Sequence, residues 1–124
     1  MIHKHQEKLH QKISLDDMKQ ISQEGRKIYI YGNGGAGRWL WQSLEYLGIG
    51  ICAFIDTDVK KRKVNFGFHT ISVSESEKTI TPRDLIIIGA VDIHEILTVK
   101  NQTKLRDVPW VSLGEIAKEN LNIE

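Results

Sequence analysis

Six consecutive residues, lying between two apolar runs, have the types and spacing to do chemistry. Gly32-Asn33-Gly34-Gly35-Ala36-Gly37 matches G-x-G-x-x-G, with Gly32, Gly34 and Gly37 at the three glycine positions. In a turn from strand to helix, the first glycine permits the bend and the second lets a diphosphate approach the backbone without meeting a Cβ. The third lets the helix pack closely on the strand. Unpaired N–H groups at the helix start, together with the helix dipole, favour an anion at that point. Arg38, directly after Gly37, could reach the same diphosphate, or could simply be solvated on the polar face of its helix. Further on, Asp56 stands 19 residues after Gly37 and ends the apolar run ICAFI. A carboxylate at the end of a second strand can accept hydrogen bonds from ribose hydroxyls. The expected ligand is therefore a nucleotide, gripped by residues 32–38 at its diphosphate and by Asp56 at its ribose. The other reading of these residues is a glycine turn that binds nothing and an aspartate that opens a turn.

Those residues need a strand, a helix and a second strand to position them, and the flanking sequence supplies all three. Residues 27–31 (KIYIY) are β-branched and aromatic and are cut off by Gly32, as a short buried strand is. From residue 35 to 47 the spacing turns helical. At 100° per residue Ala36, Trp39, Leu40, Ser43, Leu44 and Leu47 fall on one side, with Arg38, Gln42 and Glu45 opposite. Gly48 and Gly50 stop that helix, and residues 51–55 form the second strand, completing a βαβ unit with parallel strands. Upstream, Ile13, Met18 and Ile21 at helical spacing, Ser14 as cap and Gly25 as stop predict a short helix over 13–24. Downstream, residues 69–73 (HTISV) suggest a third strand and residues 85–88 a buried fourth. A helix from Asp92 to about Asn101 follows, then a fifth strand over 109–113 and a terminal helical turn over 114–120. Strands alternating with helices predict a three-layer α/β, Rossmann-like domain with a mostly parallel sheet of about five strands. Residues 1–25 read as an N-terminal extension with a short helix, and residues 26–124 as the nucleotide-binding domain.

Composition narrows the function classes. A chain of 124 residues with 40% hydrophobic and 27% charged residues is one ordinary globular domain. Seventeen basic residues against 16 acidic ones give a net charge of +1, which offers no global field for nucleic acid or a membrane surface. The longest apolar run is far shorter than the roughly 20 residues of a spanning helix. No apolar segment marks the first ten residues as a secretory signal, and one cysteine makes no intramolecular disulfide, so a cytoplasmic location is expected. A P-loop is excluded because no Gly-Lys-Ser or Gly-Lys-Thr follows Gly32. S-adenosylmethionine enzymes usually carry an acidic residue just before their glycine turn, where this chain has Ile30 and Tyr31.

The stretch IYIYGNGGAGRWLWQSL, then ICAFIDTD, a basic loop, GFHTISVSE and DLIIIGA, resembles a small Rossmann domain that accompanies nucleotide-sugar enzymes. It is similar to the cofactor domain of polysaccharide-biosynthesis dehydratases and epimerases and to the Rossmann-like domain of certain sugar C-methyltransferases. It is more distantly similar to redox-sensing repressors, CoA-binding proteins and sugar N-acetyltransferases. The resemblance covers about residues 26–114 and is specific for the fold but not for one ligand. It implies that Gly32, Gly34, Gly37 and Asp56 contact the nucleotide, in a setting of nucleotide-sugar or surface-polysaccharide metabolism. NAD is the expected cofactor, because Asp56 suits an unphosphorylated ribose. NADP and coenzyme A are alternatives if Lys60, Lys61, Arg62 and Lys63 face the pocket rather than forming a solvated loop, and a UDP-sugar is a third.

No complete catalytic site is legible. Sugar epimerases and short-chain dehydrogenases act through Tyr-x-x-x-Lys, and none of Tyr29, Tyr31 or Tyr46 has lysine four positions later. A homo-oligomer or a larger enzyme partner would have to complete such a site, and a scaffold that has lost its ligand is the alternative. His3, His5 and His10 lack neighbouring ligands at metal spacing, so no metal is expected. His94 and Glu95 could face the crevice beyond the fourth strand or form an exposed first turn, and His69 is a weaker candidate of the same kind. Cys52, inside an apolar run, reads as a buried inert thiol. Trp39 reads as a core residue, and Trp41 as an exposed contact for a partner or a residue covered by the N-terminal helix.

Overall fold

A computed structural model describes residues 13–32, 34–57, 69–89 and 93–112. The expectations placed on Asn33, on Asp92, on the basic cluster at Lys60, Lys61, Arg62 and Lys63, on the three early histidines and on residues 114–120 lie outside these residues.

The first helix, α1 (Leu15–Gln23), starts where the sequence predicts. The Ser14 hydroxyl accepts from the Asp17 N–H at 3.1 Å, and the Asp17 carboxylate accepts from the Ser14 N–H at 3.2 Å. Two N–H groups with no intrahelical partner are thereby satisfied. Met18 and Ile21 bury the inner face of this helix in the same apolar layer as the β-sheet.

After α1 come β1 (Ile28–Tyr31), α2 (Gly35–Tyr46), β2 (Ala53–Ile55), β3 (Thr70–Ile71), α3 (Val73–Thr79), β4 (Leu85–Ile88), α4 (His94–Asn101), a 3-10 helix (Lys104–Asp107) and β5 (Trp110–Ser112). The five strands form one all-parallel sheet in the order β3-β2-β1-β4-β5. Tyr31 at the end of β1 lies between Ile55 of β2 and Ile88 of β4. The fold is thus the Rossmann-like α/β arrangement that the alternating elements predict.

Both faces of the sheet are covered, which is why β1 and β4 read as unbroken apolar runs. Alternate residues serve opposite layers. Ile28, Ile30, Phe54, Leu85 and Ile87 pack with α1 and with Leu40 and Leu44 of α2. Tyr29, Tyr31, Ile55, Ile86 and Ile88 pack with Leu105 and Val108, beneath Val73 of α3 and Ile96, Leu97 and Val99 of α4. Each fully buried aliphatic side chain stabilises the fold by about 1.5–3 kcal/mol relative to exposure.

Three local expectations change. The third strand ends at Ile71, and Val73 opens α3 instead of closing a strand. The cause is a second capping box: the Ser72 hydroxyl accepts from the Glu75 N–H and the Glu75 carboxylate from the Ser72 N–H, both at 3.1 Å. Cys52 is exposed rather than buried. It precedes β2, where its N–H continues the ladder to the Ile28 carbonyl at 2.8 Å while its side chain leaves the core. Finally, α2 is rotated from the predicted face. Trp39 is 38% exposed, and Trp41 packs against the core with its ring edge-on to Phe54 at 6.4 Å. Among the described residues no helix is long and apolar enough to cross a membrane.

Candidate functional site

The strand order reverses direction between β1 and β4. From β1 the chain moves outward through β2 to β3, and from β4 it moves the other way to β5. In open parallel sheets ligands bind beyond the carboxyl ends of the strands at such a switch point. The glycine turn leaves β1 there.

Gly32 follows β1 with φ +110°, a conformation open to glycine but costly for residues with a Cβ. Its N–H donates to the Ile55 carbonyl at 2.8 Å, tying the turn to β2. Gly34 is the N-cap of α2. Gly35 is exposed, and a Cβ there would meet nothing within 4 Å. Ala36 is half-buried. Gly37 is buried and is the tightest contact of the site. A Cβ on it would lie 2.0 Å from the Gly32 carbonyl oxygen and 3.5 Å from that of Gly89, just after β4. Gly89 is constrained as well, since its own Cβ would come within 2.9 Å of the Gly37 Cα. Sequence reasoning passed over Gly89; its position directly after the buried run of β4 was the available signal.

This contact explains the rotation of α2. With Gly37 held against the turn, Leu40, Trp41 and Leu44 follow on the same face at three, four and seven residues. Trp39, two residues from Gly37, is displaced by about 200° and points outward.

The ends of the helices around the sheet differ. The N-caps of α1 and α3 are serines with side-chain bonds, whereas Gly34 of α2 and Ile93 of α4 cap with no side-chain hydrogen bond. These two helices follow the strands on either side of the switch point. Moreover, α2 alone among the helices α1 to α4 has no acidic residue in its first turn. Its first N–H groups thus meet neither a cap side chain of Gly34 nor a carboxylate of their own turn. Arg38 is half-buried in that turn, and its N–H closes the first helical bond to the Gly34 carbonyl at 3.0 Å.

Asp56 directly follows β2, is 7% exposed, and donates its N–H to the Ile71 carbonyl at 3.1 Å. The β1–β2 pairing therefore brings the glycine turn and Asp56 to the same edge of the sheet. Tyr31, to which the sequence assigns no site role, is the last residue of β1, pairs with Ile55 and directly precedes the turn. Its side chain is 3% exposed, and among the described residues its hydroxyl has no hydrogen-bond partner. Burial, and secondarily the carboxylates of Asp56 and Glu95, push this phenol up to about 12, so it stays protonated at neutral pH.

His94 and Glu95 form an exposed first turn of α4 at this edge. His69 does not reach it. It stands before β3, at the amino-terminal edge, where its carbonyl accepts from the Phe54 N–H at 2.9 Å. A residue preceding a parallel strand lies at the end opposite the crevice. There His69 lines a cavity of about 240 Å³ with Lys27, Tyr29, Cys52, Glu75 and Thr79. Among the described residues no group of three or more His, Cys, Asp or Glu is placed to hold a metal ion. No family model, no curated protein and no solved structure matches this chain.

Proposed function

We propose that this chain binds a nucleotide, with NAD(H) the expected ligand, in nucleotide-sugar or surface-polysaccharide metabolism. In this reading the backbone amides from Gly34 to Gly37 hold the diphosphate, Arg38 adds a positive charge beside it, and Asp56 accepts from the ribose hydroxyls. The observation that carries it is the seating of Gly37 against the Gly32 carbonyl and Gly89, which draws an acid-free helix start up to the switch point. Asp56 at the end of the adjacent strand adds the acceptor. The setting rests on the resemblance of YGNGGAG and FIDTD to domains of nucleotide-sugar enzymes. Activity on a sugar would require residues from a partner or a second copy.

Calorimetric titration with NADH, NADPH, coenzyme A and UDP-sugars tests the reading. Asp56→Ala is expected to weaken NADH binding by about tenfold or more, because hydrogen bonds to a charged acceptor contribute about 1.5–3 kcal/mol. Unchanged affinity would remove the ribose assignment.

A second reading, an interaction module without a ligand, draws on the outer face of α2. Trp39 and Tyr46 are 38% and 90% exposed there and, with Gln42, Ser43 and Leu47, line a shallow cavity of about 440 Å³. Flat titrations together with a concentration-dependent dimer in sedimentation would select it.

A further inference from the structure

We infer that Tyr31 is a ligand-binding residue of the crevice, its hydroxyl hydrogen-bonded to an uncharged, hydroxyl-bearing sugar ring of the nucleotide; this rests on the nucleotide reading above. The starting observation is a contrast within β1. Tyr29 and Tyr31 face the same apolar layer, two residues apart. The Tyr29 side chain lines a cavity at the amino-terminal edge with the polar side chains of Thr79 and Cys52. The Tyr31 hydroxyl is equally withdrawn from water and has no partner among the described residues. Leaving such a group unsatisfied costs about 1–3 kcal/mol, and a phenylalanine would fill the same space without that cost. The layer therefore does not by itself require a hydroxyl at residue 31.

Position supplies the reason. Tyr31 is the last residue of β1, its carbonyl accepts from the Gly89 N–H at 3.0 Å, and the glycine turn begins with the next residue. A tyrosine anchored there belongs to the carboxyl-terminal edge of the sheet. The two carboxylates that act on it stand at that edge as well, Asp56 after β2 and Glu95 in the first turn of α4. The strands that lead to them flank β1.

That setting selects the chemistry of the group it meets. A phosphate or carboxylate would be repelled by two acidic side chains. A sugar hydroxyl suits both kinds of neighbour, since it can donate to a carboxylate while accepting from the phenol O–H. The ring could be the ribose of a dinucleotide or the hexose of a sugar nucleotide, and the two sources separate experimentally.

Wild-type protein and Tyr31→Phe are titrated calorimetrically with NADH and UDP-glucose, and with NADPH and UDP-glucuronate as their anionic counterparts. Whichever of NADH and UDP-glucose binds is expected to lose about threefold to tenfold in affinity in Tyr31→Phe, the worth of one neutral hydrogen bond. In the wild type its anionic counterpart should bind more weakly. Binding of NADH alone assigns the ribose, and binding of UDP-glucose alone the hexose. Equal affinity of wild type and Tyr31→Phe overturns the role of Tyr31 while leaving nucleotide binding intact. Equal affinity for the ligand with the uncharged ring and its counterpart with an added phosphate or carboxylate on that ring overturns the uncharged ring. If the wild type binds none of the four, this inference fails, and absence of coenzyme A binding as well would take the nucleotide reading with it. Tyrosine labelled at Cζ provides a second readout in the unmutated chain. The Tyr31 resonance should move on adding the ligand while that of Tyr46 stays, and an unmoved Tyr31 signal at saturation overturns the contact.

Discussion

The two edges of the sheet differ in how a tyrosine of β1 and the neighbouring helix starts are satisfied. At the amino-terminal edge the chain satisfies its own groups. Asp84 is 5% exposed, and its carboxylate accepts from the N–H of Lys27 at 2.9 Å and from the N–H and hydroxyl of Thr81 at 2.8 and 3.3 Å. The Arg26 guanidinium donates to the Arg83 carbonyl, and Tyr29 lines a cavity with the polar side chains of Thr79 and Cys52. Lys100, fully buried toward this edge near the end of α4, donates from Nζ to the Arg106 carbonyl at 3.3 Å. At the carboxyl-terminal edge the Tyr31 hydroxyl has no partner, and the helices beside the switch point begin on caps without side-chain bonds. Buried polar groups are normally paired. Among the described residues, the buried polar groups of one edge are paired, while at the other the Tyr31 hydroxyl stands unpaired beside the most tightly packed turn.

The largest expected effect comes from the packing on which the open edge is built. In Gly37→Ala the new Cβ would stand 2.0 Å from the Gly32 carbonyl oxygen, a backbone atom that cannot rotate away. A loss of about 3 kcal/mol or more is expected in urea unfolding followed by circular dichroism. A variant as stable as wild type would mean that the turn and α2 can separate freely.

A smaller effect is expected at Lys100. Burial holds its amine down to about 8, against an ordinary 10.5, and the nearby Asp107 only partly opposes this. Between pH 8 and pH 10 the unfolded chain retains a proton that the folded chain gives up, so stability rises with pH, by at most about 1.4 kcal/mol per unit. Above pH 10 the sign reverses. Burial pushes Tyr29 and Tyr31 up to about 12, so the unfolded chain loses phenol protons that the fold keeps. Lys100→Met should remove the rising limb and exceed wild type by about 1–2 kcal/mol at pH 7, where the amine is charged in both states. Parallel pH profiles for the two proteins would show that this amine does not titrate differently on folding.

The finest comparison sets the two tyrosines of β1 against each other in protein without nucleotide. Tyr29→Phe removes a hydroxyl beside the polar side chains of Thr79 and Cys52 and should cost about 0.5–1.5 kcal/mol. Tyr31→Phe removes a hydroxyl with no partner and should cost nothing or stabilise slightly. Equal losses in thermal unfolding would erase the distinction between the edges.

Much of the fold was legible because its signals are local. Ser14 with Asp17 marks the start of α1, and the β-branched runs that end at Gly32 and Asp56 mark β1 and β2. Ser72 with Glu75 carries the same capping signature. It was hidden because HTISV also reads as a strand, and two of its residues do pair with β2. The candidate site was legible in part. Spacing brought out Gly32, Gly34, Gly37 and Asp56, whereas Gly89 and Tyr31 gain meaning only from neighbours 52 and 25 residues away, Gly37 and Asp56.

By itself the sequence determined the element types, the apolar period of each strand and the place of the glycine turn, since backbone propensity and capping act over a few residues. Only the tertiary structure decided the strand order, the rotation that buries Trp41 and exposes Trp39, the outward turn of Cys52 and the isolation of the Tyr31 hydroxyl. The physical reason is contact between segments distant in the chain. Helical periodicity leaves the phase of α2 open to within a residue or two. The approach of Gly37 to the Gly32 carbonyl and to Gly89 across two strands removes that freedom.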